Sequence, residues 1–119
     1  MATIEVQLSV ARVISGGNAK AGLYFFSFTP NHIEVNEKNT TINVTLSADT
    51  PADMAIVSVL SGDALKQLET PILAPGGRSF SVVNRNTEPY MFSLGARIYD
   101  KLRDTYLICD PQIINVPEF

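Results

Sequence analysis

Tyr90-Met91-Phe92-Ser93-Leu94-Gly95-Ala96-Arg97-Ile98-Tyr99-Asp100 is the longest alternating stretch in the chain. Successive side chains of a β-strand point to opposite faces. Tyr90, Phe92, Leu94, Ala96 and Ile98 therefore share one apolar face, and Met91, Ser93, Gly95, Arg97 and Tyr99 share a mixed one. A strand of this length is expected to run through the middle of a sheet. Tyr106 to Cys109 follows after a polar break and is expected to fold back on it as a hairpin.

Shorter runs of the same kind surround it. Ile4, Val6, Leu8 and Val10 alternate with Glu5, Gln7 and Ser9. Ile33 and Val35 alternate with Glu34. Ile42, Val44 and Leu46 alternate with Asn43 and Thr45, and the β-branched content favours a strand. These last two runs, joined by the polar Asn36–Asn39 turn, are expected to pair as a hairpin. Leu23 to Phe28 and Met54 to Leu60 are apolar on both faces, which predicts central strands or strands whose second face meets a partner. Asp63 to Glu69 reads either as a short helical turn or as a loop leading to an edge strand. Prolines fall at the breaks, where a missing N–H does least harm.

Short strands at this spacing, with turn residues between them and almost no helical periodicity, predict an all-β protein. The expected fold is an antiparallel β-sandwich of about seven to nine strands, immunoglobulin-like or cupredoxin-like, in a single domain over residues 1–119. The cupredoxin cadence lies in Phe26 to Val35. A blue-copper site needs two His and one Cys, and the chain's one His excludes it.

Composition narrows the function. Charged residues make up 18 % of the 119-residue chain, below the usual quarter, and the net charge is -3. The nine basic residues are scattered, so a nucleic-acid partner is not expected. No apolar run approaches the length of a membrane-spanning helix, so no membrane partner is expected. The N-terminus enters an alternating pattern without a basic or apolar leader, which points to a cytoplasmic location.

Catalytic groupings are sparse. His32 stands at the start of a strand without a Gly-x-Ser-x-Gly setting. Cys109 forms a dyad with it only if the fold joins them; a lone Cys ending an apolar run is more often a small buried hydrophobe. No enzyme, cofactor or metal is expected. Asp49, Asp53, Asp63 and Asn86 are loop residues that would line a small-molecule or glycan site if they met at one end of a sandwich. Their ordinary role is turn geometry. The apolar surplus favours a different expectation, a non-enzymatic, self-associating structural or binding module. Its homo-oligomeric contact would draw on Tyr24, Phe26 and Phe28.

The stretch from Asn84 to Phe119 resembles the C-terminal part of bacterial inclusion-body proteins of the AidA/PixA type. The shared features are Glu88-Pro89-Tyr90-Met91-Phe92, which opens the long strand, and Asp110-Pro111 followed by Gln112-Ile113 in the closing strand. The resemblance implies a β-sandwich, a bacterial cytoplasmic protein without known catalysis, and self-association. It supplies no catalytic residues.

Overall fold

A computed structural model describes residues 2–117. Ten strands occur among them: β1 (Thr3–Arg12), β2 (Tyr24–Thr29), β3 (His32–Val35), β4 (Thr40–Leu46), β5 (Met54–Ser61), β6 (Ile72–Leu73), β7 (Ser79–Asn84), β8 (Met91–Asp100), β9 (Thr105–Cys109) and β10 (Gln112–Asn115). Among the described residues no helix is long and apolar enough to cross a membrane.

The strands form two sheets. One has the order β2-β1-β4-β7-β6, the other β3-β10-β8-β5, with β9 also paired to β8. β8 holds the central place predicted for it. It pairs with β5 along one edge and with β9 and β10 along the other. Its even-numbered side chains from Phe92 to Ile98 are buried, and Ala96 stands opposite Cys109 in the expected hairpin.

The sheets are mixed, where antiparallel pairing alone was expected. β1 runs parallel to β4, and β3 runs parallel to β10. Parallel neighbours need a long crossover, and residues 13–39 supply one. Within that crossover β2 lies in the first sheet beside β1. The chain then turns through Thr29-Pro30-Asn31, with a cis Thr29–Pro30 bond, and β3 joins the second sheet.

That change of sheet overturns the expected pairing of β3 with β4. The Asn36–Asn39 turn carries the chain between sheets rather than within one. Its turn residues look the same in sequence either way. β5 is also corrected, from central strand to sheet edge. Its register slips between Ile56 and Ser58, so the inward face passes from Met54 and Ile56 to Val59, leaving Val57 and Leu60 outside. A bulge has this effect because one extra residue reverses a period of two. β2 is an edge strand as well, with Tyr24 and Phe28 buried and Phe25 exposed. Residues 63–69 are not helical. Leu68 bridges to Asn84 and Glu69 donates to Val83, so this segment leads along β7 into edge strand β6.

Inward side chains of both sheets meet in one core, among them Leu8, Ile42, Val44, Leu94, Ile98 and Ile113. Fully burying each such side chain contributes about 1.5–3 kcal/mol. Arg78 fixes the β4–β5 loop over one end, donating to the carbonyls of Ser47, Thr50, Pro51 and Met54.

Candidate functional site

The ends of the two sheets hold different polar clusters. At the first end, Arg12 and Asp100 continue the inward phase of β1 and β8 beyond the apolar core. Arg12 Nε and Nη2 donate to the two Asp100 carboxylate oxygens at 2.9 and 2.6 Å, and Nη2 also reaches Asp53 at 2.5 Å. The Tyr24 hydroxyl and the Leu102 amide donate to the same carboxylate. The Arg12 hydrogen bonds outweigh the effect of burial and, with Tyr24, hold the Asp100 pKa down at about 2. Burial and the Asp100 carboxylate together push the Tyr24 phenol upward. The cluster ties β1, β2, β8 and the β4–β5 loop together.

At the opposite end, Asn84 on β7 and Asn115 on β10 join the sheets, with Asn84 Nδ2 donating to Asn115 Oδ1 at 2.7 Å. Buried Gln67 accepts the Thr87 and Glu88 amides on its Oε1. Asp63 accepts the Gln67 and Leu68 amides and the Tyr90 hydroxyl. Burial works against its charge, but these donors win, and its pKa falls below the usual carboxylate value. Burial first, and the bond to Asp63 second, push the Tyr90 phenol up to about 12.

The four proposed ligand-binding residues divide between these ends. Asp49 is exposed in the β4–β5 loop, and Asp53 in the same loop is paired with Arg12. Asp63 caps the segment before β6, and Asn86 is a fully buried turn residue at φ 51° whose Nδ2 reaches the Glu37 carbonyl. β5 and β8 run the length of the sheet between the two pairs. Of the three proposed self-association residues, Tyr24 and Phe28 are buried in the chain's own core and Phe26 is half-buried, packed edge-on against Phe28. Phe25 is the exposed aromatic of that strand, at 48 %.

His32 is exposed and contacts Asn31. Cys109 is fully buried, and burial followed by the nearby Asp110 charge pushes its thiol up to about 12. It is a protonated core residue at neutral pH. No group of three His, Cys, Asp or Glu side chains converges among the described residues.

Two surface features remain. A groove of about 670 Å³ lies between the end of β5 and the segment before β6. Val59, Leu68 and Leu94 form its apolar floor, and Asp63, Lys66, Glu69 and Arg85 stand around it. The second is the outer face of the second sheet. There Leu60 on β5, Gly95 on β8 and Ile108 on β9 lie side by side. A Cβ on Gly95 would stand 3.3 Å from Ile108 Cγ2 and 3.6 Å from Leu60 Cβ. Leu60 and Ile108 are 46 % and 49 % exposed. Arg97 lies 4.2 Å over the Tyr106 ring, and Tyr106 packs against Tyr99. Gly95 is buried between Leu60 and Ile108, in a recess whose lining also includes Ser61, Ser93 and Asp110. Periodicity misses this face, because Leu60 changes sides at the β5 bulge.

No protein-family model matches the chain, and no curated protein matches it significantly.

Proposed function

We propose that the chain is a non-enzymatic contact module that self-associates through the outer face of its second sheet. One observation carries this reading. Leu60 and Ile108 hold exposed apolar side chains side by side over the buried Gly95, while Asp63, Asp100, Tyr90 and Cys109, the groups best suited to chemistry, are held in structural bonds or buried. Exposed apolar side chains gathered on one face favour protein contact. The resemblance of residues 84–119 to self-associating inclusion-body proteins points the same way.

Within this reading the fold is immunoglobulin-like. The order β4-β7-β6 in one sheet and β5-β8-β9/β10 in the other matches the B-E-D and C-F-G runs of that fold, with β2 in the place of strand A but separated from β4 by β1. β1 then stands as an additional N-terminal strand between β2 and β4.

Light scattering across the micromolar range tests the association. The native chain is expected to give a dimer or larger species. Ile108→Lys is expected to weaken it by about tenfold or more, since it places a charge in the apolar centre. A native chain that stays monomeric throughout contradicts the proposal.

A further inference from the structure

β2 is an edge strand whose outer side the chain has filled at Tyr24 and Phe26. The Val13 amide donates to the Leu23 carbonyl, so alternate residues from Leu23 onward turn their main-chain groups toward β1. Tyr24, Phe26 and Phe28 therefore turn theirs outward. At Tyr24 both groups are taken by the main chain of Ala19. At Phe26 both are taken by one side chain. The Phe26 amide donates to Asn18 Oδ1 at 2.8 Å, and Asn18 Nδ2 donates to the Phe26 carbonyl at 2.9 Å. An amide side chain offers the same donor and acceptor as a peptide group, so Asn18 stands where a neighbouring strand would.

The loop is shaped to bring it there. Lys20 and Ala21 are both left-handed, at φ 53° and 57°, a conformation that residues with a Cβ rarely adopt. Gly17 lies so close that a Cβ would stand 2.0 Å from the Tyr24 carbonyl oxygen. Exposed edge strands invite pairing with other chains, and folded proteins cover or interrupt them.

We infer that Asn18 is an edge guard: its amide occupies the Phe26 pairing position and prevents β2 from pairing antiparallel with β2 of a second copy. The occupant excluded is this chain's own strand. Antiparallel pairing about Ser27 is two-fold symmetric and sets Phe26 of each copy opposite Phe28 of the other, the two outward positions that Ala19 leaves free. Phe25, exposed on this strand, adds apolar area on one face. This contact is distinct from the outer face of the second sheet, and the inference holds whatever the native oligomer is.

Asn18→Ala tests it, compared with the native chain by sedimentation velocity over a concentration series and by amide exchange at Phe26. In dilute solution the Phe26 amide is expected to exchange faster in the variant. As concentration rises, the variant is expected to show one further doubling of mass, with an association constant raised about tenfold or more. Gly17→Ala, which pushes the loop off β2, is expected to act in the same direction. Asn43→Ala removes an exposed strand amide bonded only to the Glu5 side chain, and is expected to leave the mass distribution unchanged. The inference is overturned if the Asn18→Ala curve superimposes on the native one, if Phe26 exchange is unaltered, or if Asn43→Ala shifts the mass equally.

Discussion

Asp100 is a charged side chain with no exposed surface, and it is stable there because every oxygen has a donor. Its pKa is depressed to about 2 from an ordinary 3.8. A depressed carboxylate contributes stability above its unfolded value and loses it as pH falls through the folded one. Asp100 thus adds about 2 kcal/mol at neutral pH, lost between about pH 4 and pH 2. Asp100→Asn is expected to destabilise the protein by about 2 kcal/mol at neutral pH, because half-buried Arg12 loses the carboxylate that takes two of its donors and keeps only Asp53. It is also expected to flatten the acid limb of the stability curve. Urea titrations at several pH values check both. Cys109 behaves in the opposite sense. With its thiol raised to about 12 inside the core, it is expected to resist alkylation in the folded protein and react fully once unfolded. Intact-mass labelling reads this directly, and rapid labelling of the native chain would contradict its place in the core.

Some of these positions carried a readable signal. Arg12 follows Val6, Leu8 and Val10 in phase, and Asp100 follows Phe92, Leu94, Ala96 and Ile98 in phase. Asn84 follows Phe80 and Val82, and Asn115 follows Ile113. A polar residue on the inward phase must find a partner inside, so each pointed to a buried pair. The partner itself was not readable, because it lies across the fold. Asn86, in a turn, offered no such phase, and neither did Gln67.

Strands were legible where a strict period of two met β-branched residues, as in β1, β4 and β8. The connections between them were less so. A polar turn of a few residues serves a hairpin or a change of sheet equally well, and β3 went to the second sheet because β10 offered its edge there. β5 misled for a different reason. Apolar residues on both phases normally mean burial on both faces, yet a bulge between Ile56 and Ser58 produces the same pattern at an edge. The bulge sits beside Gly77, whose carbonyl accepts the Ile56 amide at 2.7 Å. A Cβ on Gly77 would stand 2.7 Å from the Ile56 carbonyl oxygen, and the residue is at φ 72°. Gly77→Ala is expected to cost about 2 kcal/mol and to release the first half of β5 from the β6–β7 turn. Faster amide exchange confined to Ile56 and its neighbours would mark that release; uniform loss of protection would point to global destabilisation instead.

Considered whole, the molecule uses its polar groups to fasten two sheets at both ends and leaves apolar surface on one outer face. The meeting of Leu60 with Ile108 was hidden from sequence reasoning by the β5 bulge and by Gly95, whose lack of a side chain lets the two close over it. Fastened ends and exposed apolar side chains on one face fit the proposed contact role. Methyl NMR with a soluble paramagnetic probe, followed over a concentration series, tests that claim at the named atoms. The Leu60 and Ile108 methyls are expected to lose probe relaxation as concentration rises, while the methyls of Ile14, 91 % exposed at the far end, keep theirs. Equal and concentration-independent relaxation at all three residues would contradict the account.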